Sequence, residues 1–385
     1  MRSLDTAVST CDRYHPGLIK ALSGIGFMDR EKRGSDVIAR FRAHGGAGLL
    51  VPAEFGGLGA DPLDAVRVMR AIGAHSPSLG AAATMHHFTV ATMLALASGP
   101  GGTARLTGSQ LAMIRRIGPE SLLMSSGWAE GRTEQNILDP SMSAVQADGG
   151  FLVSGSKKPC SLSRSMDLLS LGVAVPGADG SRGVAMMVLP ADSPGISVHP
   201  FWSSDIMAGA ESDEVRLDSV FVPADLVISA VPGDPQRFDD LLDAGFVWFE
   251  TLISAAYTGV ASALVAKVLE RGRGSVTDRA SLGVRLESAI GLVEGTARTL
   301  RDGELGELGE QTVAGALVSR FAVQQILADT AAQAAELLGG LAYIGSREIA
   351  YLASAVRPLA FHPPSRTSTS QALADYFAGG PLLLA

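Results

Sequence analysis

Glu250 is the one acidic residue in FVWFETLISAAYTGVASAL, residues 246–264. Trp248, Phe249 and Leu252 flank it. A carboxylate held among such neighbours is poorly solvated, so its pKa rises and it can accept a proton near neutral pH. The competing reading is a helix-start Glu paired with an Arg. Imidazoles offer a second chemistry of proton transfer and hydrogen bonding. His86 and His87 sit in TMHHFTVATM, residues 84–93, and His362 follows Arg357 by five residues. A His on an apolar helix is more often a satisfied core residue. Cys11 and Cys160 are the only cysteines, and no Cys/His spacing suits zinc. No metal site is expected.

Three kinds of segment must position these groups. Residues 1–120 read as helices with short loops. Asp61 can cap a helix from Pro62 to about Ala74, and Pro77 and Gly80 break the chain before a second helix, about Ala81 to Ala97. Residues 121–230 hold short strands: apolar residues alternate from Gly150 to Val222 between Gly, Pro and Asp punctuation. Residues 236–385 read as long helices. Leu282, Leu286, Ala289, Val293, Ala297 and Leu300 form one apolar stripe, and Val313, Leu317 and Phe321 form another. Such helices make an antiparallel bundle.

Composition excludes several classes. Net charge is −8 with no basic block, so nucleic acid is not an expected partner. There is no run of about 18 uninterrupted apolar residues, so no membrane span is expected. The most apolar stretch, Leu252 to Leu269, is rich in Ala, Ser, Thr and Gly and reads as a tightly packed buried helix. The N-terminal MRSLDTAVSTCDRY has no apolar signal core, and two distant thiols suit a reducing cytoplasm.

Three spaced motifs carry a resemblance. They are GLLVPAEFGGLGADP at 48–62, the strand-rich stretch with Gly155-x-Lys157, VLPADSPGI and EVRLDSVFVP, and AAELLGGLAYIGSREIAYLASAVRPLAF at 334–361. In this order they resemble the acyl-CoA dehydrogenase family. The resemblance implies an α+β fold with an N-terminal helical domain, a middle antiparallel β-domain and a C-terminal four-helix bundle. It implies FAD, and a homotetramer or homodimer whose flavin site draws on two subunits. It also implies an acyl-thioester substrate on coenzyme A or a carrier protein.

The same resemblance nominates residues. Ser161 falls where a hydroxyl reaches flavin N5, with Cys160 beside it. Glu130 is retained from the stretch that meets the flavin's pyrimidine edge, Ala129 offers only backbone there, and Trp128 falls where it could stack on the ring. Arg273, with Arg271 and Arg279 as alternatives, falls where the pyrophosphate is met, and Gly339 and Gly340 where backbone approaches the neighbour's dinucleotide. Departures are also visible. The stretch 129–136 reads AEGRTEQN, with Gln135 and Asn136 where the acyl carrier is often held. Arg366 occupies one of the two positions of the family's catalytic Glu, which leaves Glu250 near the other. The leading expectation is therefore FAD-dependent α,β-dehydrogenation with Glu250 as base. The alternative is a flavin monooxygenase of the same fold. Dibenzothiophene and N-hydroxylating amine oxygenases use reduced flavin and O2, lack the Glu base, and carry His residues in the regions of His87 and His362; FMN would suit that reading. A third reading is a degenerate member that binds flavin or a partner without turnover.

Overall fold

The computed structural model describes residues 1–98, 105–131, 139–176, 182–229, 237–302 and 309–384. The first helices are α1 (Arg2–Tyr14), α2 (Leu18–Ser23), α3 (Phe27–Glu31), α4 (Val37–Ala43), α5 (Pro62–His75), α6 (Pro77–Ser98) and α7 (Gly108–Ile117). Asp61 caps α5 as expected, accepting from Asp64 N. The expected break falls at Ser76, and the second helix starts four residues earlier than expected. Pro77 opens α6, where a missing N–H costs nothing, and Gly80 lies inside it.

The strands follow: β1 (Met124–Gly127), β2 (Ala144–Ala147), β3 (Gly150–Cys160), β4 (Leu168–Pro176), β5 (Arg182–Pro190), β6 (Ile196–His199), β7 (Asp213–Pro223) and β8 (Val227–Ile228). They form two four-stranded sheets, ordered β1-β4-β5-β8 and β2-β3-β7-β6. All pairs are antiparallel except β1 with β4, which run parallel. Alternate residues of β4 serve different cores. Leu169, Leu171 and Val173 pack between the sheets, whereas Leu168 joins the helical core. The first sheet is thus buried on both faces, with helices on one side and the second sheet on the other.

The C-terminal helices are α8 (Arg237–Glu270), α9 (Val276–Asp302), α10 (Gly309–Leu338), α11 (Gly340–Gly345), α12 (Arg347–Ala355) and α13 (Arg366–Phe377), with a 3-10 turn at Arg357–Phe361. Both predicted stripes are buried. α6 and α8 are long and apolar enough to cross a membrane, yet 89% and 78% of their most apolar stretches are buried inside the protein. Close backbone contact explains the many small residues. A Cβ on Gly259 would lie 2.1 Å from the Arg70 carbonyl oxygen, and one on Gly73 would lie 2.1 Å from that of Ala256. α5 and α8 therefore pack nearly backbone to backbone, and α6, which packs on α8, meets β1 of the first sheet.

Candidate active site

On the sheet side, the centre is Ser161, just past the end of β3. Its hydroxyl lies 2.9 Å from that of Ser212, and its carbonyl accepts a 2.6 Å bond from Ser125 of β1. Leu162 N–H donates to Ala210 and Ser163 N–H to Glu211, so the chain after β3 is laced to the turn before β7. Three non-glycine residues here hold left-handed backbone: Leu162 (φ 64), Met207 (φ 61) and Glu211 (φ 55). Each such residue costs roughly 1–3 kcal/mol, and clusters of them mark sites that the surrounding structure must hold in place.

Neighbouring positions have other roles than those the resemblance implies. Cys160 points to the opposite side from Ser161, as alternate strand residues do. It is fully buried between the sheets, where burial pushes its thiol up to about 12. It contributes packing and does not face the site. The Glu130 carboxylate also turns inward. It takes a 2.7 Å bond from Lys157 Nζ, 3.0 Å bonds from the N–H groups of Ser141 and Met142, and one from the Ser141 hydroxyl. Burial raises this carboxyl, but these donors outweigh burial and hold it at about 2. Glu130 is a clamp on its own loop. The Ala129 carbonyl is used by Lys158 N–H at 2.8 Å. Trp128 lies flat on β4: a Cβ on Gly172 would come within 2.4 Å of the indole.

On the helix side, Tyr257 and Phe249 of α8 meet His362. The Tyr257 hydroxyl is 3.0 Å from His362 Nε2, and it donates to the Met207 sulfur at 3.3 Å. The His362 ring makes edge contacts with Phe249 (5.8 Å) and Tyr257 (5.6 Å), and Phe249 meets Phe88 of α6 at 5.2 Å. Burial, aided by Arg320, lowers the His362 ring to about 3, so it is neutral at physiological pH. Met207 joins the two sides. Its N–H donates to the Tyr351 hydroxyl, which donates to the buried Glu31 carboxylate. Glu31 also receives Ser76 and Ser78, so the turn carrying Ser212 is anchored to α3, α6 and α12.

Two nominated proton carriers are placed elsewhere. Glu250 faces α10, where Arg320 Nε approaches its Oε2 at 3.2 Å; both side chains are 1% exposed. Burial pushes this carboxyl up to about 8, with Arg320 opposing. The Arg partner is as the competing reading expects, but Glu250 lies in the middle of α8 and not at a helix start, and neither of its oxygens has a hydrogen-bond partner among the described residues. His87 does not reach His362. One helix step from Phe88 turns a side chain by about 100°, and the His87 ring packs against Phe41 and His86. Neither of its nitrogens has a hydrogen-bond partner among the described residues. His86 bridges the Ala47 carbonyl (2.9 Å) and Met124 N–H (3.0 Å), a structural tie from α6 to β1.

Arg273 is exposed, in the turn after α8, and makes no ion pair among the described residues. Gly339 (φ 86) and Gly340 open α11 beside the exposed Leu341 and Ile344. Gln135 and Asn136 lie outside the described residues. The residues that sequence reasoning missed are Ser125, Ser126, Ser170, Ser212, Tyr257 and Arg320. Arg320 had a signal: it is the only charged residue between Glu310 and Asp329, as Glu250 is between Asp243 and Lys267.

The donor set fits a flavin. An isoalloxazine edge needs small hydroxyls and close backbone. Ser126 and Ser161 are nearly buried, and Ser170, paired in register with Ser126, has a buried hydroxyl without a partner among the described residues. Ser170 and Gly172 share the face of β4 turned from the second sheet, the face that carries Trp128.

Comparison with known proteins agrees. Residues 25–100 match the family model of the acyl-CoA dehydrogenase N-terminal domain. Isobutylamine N-hydroxylase of Streptomyces viridifaciens is 59% identical over 385 residues, covering 99% of this chain and 100% of that one. Two solved structures share the fold. FMN-bound TdsC from Paenibacillus sp. A11-2 superposes with a TM-score of 0.77 at 17% identity, covering 100% of this chain and 99% of that one. KijD3, in complex with FMN and a dTDP-linked amino sugar, superposes with a TM-score of 0.79 at 21% identity, covering 98% and 93%. Sharing most of its residues with isobutylamine N-hydroxylase from end to end, the chain belongs to the same family of flavin-dependent oxidoreductases, built on the acyl-CoA dehydrogenase fold.

Proposed function

We propose that this protein is a flavin-dependent N-hydroxylase of a small primary alkyl amine. The observation that carries this reading is the end-to-end 59% identity to isobutylamine N-hydroxylase. The reaction balances as amine plus O2 plus reduced flavin giving hydroxylamine, water and oxidised flavin. An N–O bond forms and the O–O bond breaks. The flavin, when bound, supplies the two electrons that activate O2; Ser126, Ser161, Ser170 and Trp128 would hold it. FMN is favoured over FAD because two solved neighbours, TdsC and KijD3, hold FMN.

The chain's own residues supply the setting. Nitrogen must offer its lone pair, so the amine has to react uncharged. Phe88, Phe249 and the neutral His362 form a wall in which an ammonium would be poorly solvated. His362 Nε2 and the Tyr257 hydroxyl form one hydrogen-bonding pair, and Ser161 offers a second hydroxyl across the site. Acyl-thioester dehydrogenation is less well supported. Glu250 is enclosed by Arg320, and Arg366 stands at the alternative position of the base.

The test is direct. Purified protein is supplied with isobutylamine, FMN or FAD, a flavin reductase, NADH and air, and isobutylhydroxylamine is measured by mass spectrometry against O2 uptake. Product in step with O2 supports the reading. Anaerobic bleaching of bound flavin by acyl thioesters, with no hydroxylamine formed, would return the dehydrogenase reading.

A further inference from the structure

We propose that Glu250 and Arg320 form a positioning pair for His362: Arg320 carries the backbone of the His362 segment, and Glu250 holds Arg320. This rests on the oxygenase reading only in that His362 is taken as the group being served.

The geometry is specific. Arg320 Nη2 donates to two carbonyls, Leu359 at 2.7 Å and His362 at 2.8 Å. Nη1 donates to Gln324 at 3.0 Å, and Nε lies 3.2 Å from Glu250 Oε2, within ion-pair distance but outside hydrogen-bond geometry. The segment needs such a donor. The 3-10 turn Arg357–Phe361 ends at His362, and Pro363 and Pro364 follow. Prolines have no N–H to offer the last carbonyls, so these would be left unsatisfied in a buried place. The residue before a proline is held extended, as His362 is, with ψ 137. Proline fixes the direction of the segment and Arg320 fixes its position. The ring then meets Tyr257 and Phe249.

Stability alone does not explain the pair. Burying a guanidinium beside a carboxyl is costly, and well-packed apolar side chains of similar size often serve stability as well or better. A guanidinium, however, can serve two carbonyls from one nitrogen while another nitrogen faces a carboxylate; an ammonium cannot reproduce that fork. A shift of about 1 Å in the His362 segment would be enough to impair the reaction strongly.

The experiment uses the full chain with both residues replaced by Met (E250M/R320M). Arg320→Lys is a second variant, which keeps a charge beside Glu250 but loses the fork. Two quantities are read: the His362 signal in a 13C–1H correlation spectrum of histidine-labelled protein, assigned with His362→Ala, and the hydroxylamine formed per O2 consumed. The double variant loses the donor to two carbonyls, so its melting temperature should fall, and circular dichroism checks that it is folded before the other quantities are read. In both variants the His362 signal should shift or broaden. Hydroxylamine per O2 should fall by about tenfold to a hundredfold, with the amine KM changing by less than about threefold. In a His362→Ala background, Arg320→Lys should add no further loss. A double variant with wild-type His362 signal and yield would overturn the proposal, as would additive losses in that background. If wild-type protein makes no hydroxylamine from any amine tested, the oxygenase reading fails, and the His362 signal alone decides the positioning role.

Discussion

Tyr257 and His362, 105 residues apart, meet at 3.0 Å through a hydroxyl and a ring nitrogen. The same hydroxyl touches the Met207 sulfur at 3.3 Å. One contact thus ties α8, the turn that leads to Ser212, and the segment that follows α12. Removing the hydroxyl in Tyr257→Phe removes both hydrogen bonds, the one to His362 worth about 0.5–1.5 kcal/mol. Hydroxylamine per O2 should fall severalfold while flavin affinity, measured by fluorescence titration, stays the same. His362→Ala should lower the yield further. Wild-type yields from both variants would remove the pair from the mechanism.

Glu250→Gln separates the two chemistries. A general base typically contributes about 10²–10⁴ in rate. Glu250→Gln keeps a side-chain oxygen facing Arg320 Nε, so Arg320 should still reach both carbonyls and hydroxylamine formation should fall by less than about tenfold. Steady-state rates with saturating amine decide this, and a loss of a hundredfold would reinstate Glu250 as a proton acceptor.

His87→Leu tests both the role of His87 and the pH dependence of stability. Burial, and then the neighbouring His86 and His15, lower the His87 ring well below 6.5. The folded state therefore keeps it neutral while the unfolded chain takes up a proton below pH 6.5. Its contribution to stability is full above that pH and is lost as the pH falls toward the folded-state value, at about 1.4 kcal/mol per unit. Relative to wild type, His87→Leu should gain stability as the pH is lowered from 6.5 to 5. Denaturant unfolding at several pH values measures the difference. Hydroxylation should persist; its loss, with folding intact, would give His87 a part in the reaction.

Glu130→Gln probes the clamp. Lys157 is fully buried, and removing its counter-charge leaves it unpaired. Breaking such a pair costs about 3–5 kcal/mol. The melting temperature should fall clearly at pH 7, and the deficit should shrink at acid pH. Glu130 is held at about 2 against 4.5 when unfolded, so wild type itself loses this stabilisation as the pH falls through that window. A variant as stable as wild type at pH 7 would show that Glu130 does not clamp its loop.

Local sequence was enough for the order of helices, strands and helices, because burial on one face prints a period that each segment carries by itself. The stripe from Leu282 to Leu300 and the Asp61 cap were readable for that reason. So was the oddity of Glu250, the lone charge between Asp243 and Lys267. Tertiary structure decided what each side chain faces. Cys160 and Ser161 are adjacent in sequence, yet one fills the sandwich core and the other lines the site. His87 and Phe88 are adjacent too, and only Phe88 reaches α8. Arg320, the partner of Glu250, lies on another helix, and nothing local to either residue encodes their 3.2 Å approach. Contacts of that kind depend on how whole elements pack, and at Gly73 and Gly259 that packing is set by backbones in van der Waals contact across α5 and α8.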